Sequence, residues 1–131
     1  MDNQEEIILE WIKKAEEDEF AGEIILKDGN FFTPACFHFQ QAAEKLLKSL
    51  LIFHDIEFSK THDLLELETL LLEIEPDIKD CEEELILLNR YSVEVRYPGD
   101  YPEIFSKEAN EALKAARKIK DFVLKKIKTG A

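Results

Sequence analysis

An arginine, two phenols and a carboxylate crowd a Pro-Gly turn at Arg96-Tyr97-Pro98-Gly99-Asp100-Tyr101-Pro102. Arg96 can clamp a phosphate or carboxylate through two parallel N–H bonds, and Tyr97 and Tyr101 offer faces on which a base can stack. Asp100 can instead pair with Arg96 and lock the turn, so these residues serve equally as a binding loop or as a rigid clamp. Two prolines and a glycine give the segment a defined shape, and loops carried by rigid helices are where binding residues concentrate. A second polar set recurs at helical spacing: His38, Gln41, Lys45 and Lys48, with Gln40 and Glu44 along the neighbouring edge. Amides and cations so placed can hold a nucleotide base or a phosphate. The same row also reads as an exposed face, with Gln41–Lys45 and Glu44–Lys48 ladders worth about 0.2–0.5 kcal/mol per pair. Thr61-His62-Asp63 reads most simply as a helix start, its acid favoured by the N-terminal dipole. A functional His62 is the lesser reading.

Other chemistries find little support. A di-metal helical bundle needs Glu-x-x-His pairs, and none of the three histidines (His38, His54, His62) has a Glu three residues before it. Cys36 and His38 point to different faces of a helix, so no metal site and no cofactor are expected. There is no glycine-flanked serine and no signature around either cysteine to mark a nucleophile. The glycines at 22, 29, 99 and 130 are scattered, which removes a phosphate-cradling P-loop or dinucleotide fingerprint.

These residues must be positioned by what surrounds them. A chain of 131 residues with 45% hydrophobic and 10% aromatic content suits one domain, spanning 1–131, with a single core. Of the four Gly and four Pro, three fall within 98–102, leaving long uninterrupted segments elsewhere. The acidic start, Met1 to Glu6, lacks an apolar signal core, and no run approaches a membrane span. Cys36 and Cys81 lack paired spacing and read as buried thiols of a reducing compartment, so a cytoplasmic protein is expected. The net charge of −12 is uneven: residues 106–131 carry eight Lys/Arg against three acids, so the rest carries −17. Such a body repels a phosphate backbone at long range, and no DNA binding is expected. The basic face of the last helix is expected to complement an acidic neighbour.

The periodicity predicts an all-α, up-and-down bundle of about five helices. Helix one spans roughly 4–27, with Ile8, Trp11, Ile12, Ala15, Gly22, Ile25 and Leu26 inward, and ends at Asp28-Gly29-Asn30. Helix two starts at Thr33-Pro34, read as N-cap and first helical residue, and runs to about Phe53. Helix three follows Asp63 with a stripe of Leu64, Leu67, Leu70, Leu71 and Ile74. Glu75-Pro76 restarts the chain into helix four, carrying Ile78, Cys81, Leu85, Leu88, Tyr91 and Val95. Ser106 caps helix five, whose stripe is Ala109, Ala112, Ala116, Ile119, Val123 and Ile127. Ile52, Phe53, Ile56, Phe58 and Phe105 exceed one small core's needs, and some of them are expected to cover a self-association surface.

Three blocks in order, Ala35–Lys48 (ACFHFQQAAEKLLK), Thr61-His62-Asp63-Leu64 and Arg96–Pro102 (RYPGDYP), resemble the HEPN domain family of prokaryotes, over roughly residues 5–127. The resemblance implies a helical bundle that dimerises, and frequent pairing with a small nucleotidyltransferase encoded nearby in a toxin–antitoxin module. Catalytic HEPN proteins are metal-independent ribonucleases carrying R-x4–6-H. Arg96 matches the arginine, but Tyr97 follows it and Tyr101 fills the histidine position. Metal-free RNA cleavage needs a group exchanging protons near neutrality, and a phenol with a pKa of about 10 is a poor base there.

The expectation is therefore a cytoplasmic homodimer that binds nucleotide or RNA, or docks a nucleotidyltransferase. Arg96 would hold phosphate, Tyr97 and Tyr101 would stack, with Asp100 beside them, and Gln41, Lys45 and Lys48 would line the pocket. By resemblance, Tyr101 or Tyr97 is also the expected acceptor of an adenylyl group. Two rivals remain: a ribonuclease using Arg96 with Tyr101, and a structural adaptor whose loop is only a turn.

Overall fold

Asp2 opens the first helix, its carboxylate accepting the Glu5 backbone N–H at 2.7 Å. In the computed structural model, which describes residues 2–29, 31–92 and 103–129, helix α1 runs Asn3–Ile24 and continues as a π-helical turn over Ile25–Gly29. Helix α2 spans Phe32–Phe53, α3 Leu64–Leu71, α4 Glu82–Asn89 and α5 Ser106–Thr129. No strand occurs among the described residues. The bundle is all-α, as the periodicity predicts.

Helix α2 is the axis. It is buried on most of its circumference, from Ala35 to Leu51, and packs against every other helix. Small residues set its distance from α1: Ala15 and Ala43 are buried, and Gly22 leaves the space that the Phe39 ring fills. A Cβ at position 22 would stand 2.5 Å from that ring. At its far end α2 stops in a left-handed residue, Asp55 (φ 57°). Asp55 N–H bonds Ile52 O and Ile56 N–H bonds Leu51 O, the pairing that satisfies a helix's last carbonyls. Gln4 of α1 then donates to both Ile52 O (2.9 Å) and Asp55 Oδ1 (2.6 Å), tying the start of α1 to the end of α2.

Several expected boundaries shift. Helix α2 is entered through Phe31, whose side chain makes no cap, so Thr33-Pro34 falls inside the first turn. Proline is tolerated there because first-turn N–H groups lack intrahelical partners. Pro76 does not start an α-helix; Pro76–Cys81 winds as a tighter 3-10 turn before α4. Of the expected stripe, Leu64, Leu67 and Leu71 are buried in the core, Leu70 and Ile74 are exposed, and Glu68 of α3 takes an inward place. Helix α5 begins at Ser106, with the Phe105 N–H donating to Glu108 Oε1 at 2.9 Å, so the acid rather than the serine satisfies this N–H. The α5 stripe, Ala109, Ala112, Ala116, Ile119 and Val123, is buried as expected.

Phe53, Ile56 and Phe58, expected on a self-association surface, instead pack against the core. Phe105 of that expected set is exposed, and Phe20 and Phe31 are exposed as well. Helix α5 spends its cations on the acidic body: Arg117 bonds Glu23, Lys118 bonds Glu84, Lys120 bonds Glu19, and Lys126 bonds Glu75 and Asp77. Among the described residues no helix is long and apolar enough to cross a membrane. Cys36 and Cys81 are buried and form no disulfide, and burial pushes the Cys81 thiol up to about 11.

Candidate functional site

The polar row of α2 is not an exposed face. Gln40, Glu44 and Lys48 are 0%, 3% and 6% exposed, an uncommon burial for charged residues unless they are paired. Spacing of four puts them on successive turns of one side, and the pairing follows from it. Lys48 Nζ donates to Glu44 Oε2 at 2.9 Å. The ammonium also lies 5.8 Å from the ring centroids of both Trp11, from α1, and Phe58, from the segment after α2. Two aromatic faces thus take the place of water around the cation.

The other oxygen, Glu44 Oε1, accepts from three side chains: His62 Nδ1 at 3.0 Å, Gln40 Nε2 at 3.4 Å and Gln41 Nε2 at 3.4 Å. Gln40 is used twice more, donating to His62 O at 3.1 Å and accepting from Gln41 Nε2 at 2.8 Å. His62 is therefore held by both its carbonyl and its ring, while the side chain itself stays 57% exposed. Asp63, the next residue, caps α3 by accepting the Leu65 N–H at 3.0 Å. Asn89, the last residue of α4, donates to Asp63 Oδ1 (3.1 Å) and accepts the Leu64 N–H (2.8 Å). The start of α3 and the end of α4 are thereby one joined corner beside the Glu44 network.

A parallel set lies on the adjoining edge of α2, where Asp18 of α1 pairs with both Lys45 and His38. The expected Gln41–Lys45 ladder is thus replaced by an interhelical pair. Of the residues singled out in the sequence, Gln41, Lys45 and Lys48 stand on one helix, Gln41 half-buried, Lys45 bound to Asp18 and Lys48 enclosed. Arg96, Tyr97, Asp100 and Tyr101, with Val95 and the rest of the 96–102 turn, lie outside the described residues. The residue that the network displays most openly is His62, which carries little weight on sequence grounds. Its signal there is a histidine before a cap, but the carboxylate that orients it comes from another helix. Among the described residues no three His, Cys, Asp or Glu side chains converge as metal ligands would.

The family model for the HEPN domain matches residues 8–127. Two solved structures are similar along nearly the whole chain. ST0689, described as an archaeal HEPN homologue, is 32% identical with a TM-score of 0.71, over 92% of this chain and 97% of its own. TT1696 from Thermus thermophilus is 30% identical with a TM-score of 0.76, over 91% of this chain and 97% of its own. No curated protein matches significantly.

Proposed function

This chain belongs to the HEPN domain family, and we propose that it binds a nucleotide or RNA at the corner where α3 begins and α4 ends. The observation that carries the reading is the Asn89 clamp, which joins the end of α4 to the amide and imidazole cluster around Glu44. Arg96 follows Ser92, the last described residue of that stretch, by four positions, a reach of at most roughly 14 Å. In this reading Arg96 holds the phosphate, Tyr97 and Tyr101 stack on bases, Asp100 braces the turn, and Gln41 completes the pocket from α2. Lys45 and Lys48, each bound to a carboxylate, act by positioning Asp18 and Glu44 more than by meeting phosphate directly.

The protein would act in the cytoplasm as a homodimer, for which the exposed Phe20, Phe31 and Phe105 offer apolar surface. A nucleotidyltransferase partner, in a two-gene toxin–antitoxin module, fits the family and would use Tyr101 or Tyr97 as its adenylyl acceptor. A ribonuclease resting on Arg96 and Tyr101, or an adaptor without ligand, are the competing readings.

The test is binding of a 2′-O-methyl RNA oligonucleotide to the full chain, by fluorescence anisotropy, with Arg96→Ala beside it. Loss of one bidentate phosphate clamp is expected to weaken binding about tenfold or more. A shallow salt dependence is expected too, because a strongly acidic body allows few phosphate contacts. Equal binding by both proteins would remove Arg96 as the phosphate clamp, and binding by neither would support the adaptor reading.

A further inference from the structure

We propose that the RNA-binding surface continues from the α3–α4 corner across α2 to Trp11, where one base of a single-stranded RNA stacks in a groove of α1. This rests on the RNA-binding reading above and names its ligand as a strand of several nucleotides rather than a free nucleotide. The corner and the groove are physically joined. His62 reaches Glu44, Asp18 of α1 reaches Lys45, and the Lys48 ammonium lies 5.8 Å from the centres of both the Trp11 and the Phe58 rings. One ion pair, Glu44–Lys48, thus spans from the His62 ring to the Trp11 ring. Gln41, at helical spacing from both Glu44 and Lys45, lies on the path between them.

The groove has the shape and chemistry of a base site. Ile7, Glu10, Trp11 and Lys14 recur at three and four along α1 and, with Lys45 of α2, line a groove of about 280 Å³. Sites that enclose a whole small molecule run to about 300–1,000 Å³, so this one suits a planar base with its sugar and phosphate left outside. The enclosed Lys48 approaches Trp11 from within the bundle, while the half-buried ring keeps an outer part for a ligand and the exposed Ile7 adds an apolar wall. The rim sorts the rest of the nucleotide. Lys14 is half-exposed and touches Glu17 at 3.5 Å, the limit of a hydrogen bond, which leaves ammonium N–H groups for a phosphate. Glu10, exposed and acceptor-only, turns phosphate away and can take an edge N–H, which each of the four bases carries. Lys45 stays bound to Asp18 and contributes its stem.

Charge gives the same answer. A chain of net charge −12 cannot hold a strand through many phosphates, so its affinity has to come from base faces. Stacking on an aromatic ring tolerates any sequence and tightens binding by about 5- to 150-fold for each base stacked.

Trp11 is the single tryptophan of the chain, so its emission reports this groove directly. The full chain is titrated with a 2′-O-methyl RNA hexanucleotide and, separately, with a dinucleotide, which spans the corner only. Fluorescence anisotropy of labelled strands gives binding, and tryptophan emission with unlabelled strands gives contact. Trp11 emission should be quenched saturably over the same hexanucleotide concentrations that saturate the anisotropy. Trp11→Leu should bind the hexanucleotide about tenfold more weakly and the dinucleotide as the parent does. Lys14→Glu, at an exposed position that leaves the Lys48 packing intact, should weaken the hexanucleotide several-fold; it and the parent's emission decide the matter if Trp11→Leu fails to fold. A hexanucleotide that binds without changing Trp11 emission overturns the proposal and leaves the binding reading standing. Undiminished hexanucleotide binding by Lys14→Glu or by folded Trp11→Leu overturns it as well. Failure of the parent to bind either strand removes the binding reading, and the proposal with it.

Discussion

Two buried glutamates, Glu44 on α2 and Glu68 on α3, are 3% and 5% exposed and live in opposite surroundings. Glu44 receives hydrogen bonds from Lys48, His62, Gln40 and Gln41. Glu68 has one oxygen, Oε2, with no hydrogen-bond donor, and its neighbour is a second carboxyl, Glu82. Burial first, then Glu82, pushes the Glu68 carboxyl up to about 7. Glu82, bonded to Lys79 at 3.0 Å and to Glu68, is held below the usual carboxylate range. The proton of the acid pair therefore sits on Glu68, which donates it to an ionised Glu82. A buried carboxylate supplied with donors has its oxygens satisfied and can orient an imidazole; one facing another acid keeps a proton and serves packing.

Removing a partner from the donor-rich site should have the largest effect. Lys48→Met leaves Glu44 buried beside His62 and two amides but without its cation, at a cost of about 3–5 kcal/mol in urea unfolding. A cost below about 1 kcal/mol would mean that the two aromatic rings and the amides, not the ion pair, hold the seam.

The acid pair should respond in the opposite sense. In the folded chain Glu68 keeps its proton to about pH 7, whereas the ordinary value is 4.5. Stability from this group is thus complete below about pH 4.5 and declines as pH rises toward 7. Glu68→Gln supplies a permanent donor, so the variant should gain about 1–3 kcal/mol over the parent at pH 8 and little at pH 4.5. Urea midpoints across that range check the sign, and a variant less stable at pH 8 would contradict it.

The smallest effect on stability should come at the joined corner. Asn89→Ala deletes the acceptor of the Leu64 N–H and the donor to Asp63, worth about 1 kcal/mol. Its effect on RNA binding should be the larger one, several-fold at constant helicity, because it frees the end of α4 from the Glu44 network.

The helices are legible in the sequence because their apolar residues repeat at three and four. The α5 stripe from Ala109 to Val123 is the clearest case. Pro76 reads as a helix start because a sequence records the missing N–H but not the tighter winding over Pro76–Cys81. The polar row of α2 is legible as spacing and illegible as burial. Its enclosing partners, Trp11, Asp18, Phe58 and His62, come from other segments, and nothing in the spacing along α2 marks them. Glu68 hides for the same reason: a single acid among leucines looks like the edge of a stripe until the packing shows its side. Loop chemistry at Arg96–Pro102 is read from residue types alone, and its test is functional.

The central claim, that RNA meets this chain at the α3–α4 corner, is tested most directly by nuclear magnetic resonance. The His62 ring and the Gln41 side-chain amide would be followed as 2′-O-methyl RNA is added to the full chain. Binding at the corner predicts that both signals move together, saturably, and that Arg96→Ala moves saturation to about tenfold higher RNA or beyond. Signals that stay fixed while RNA binds elsewhere, or RNA that does not bind, would contradict it.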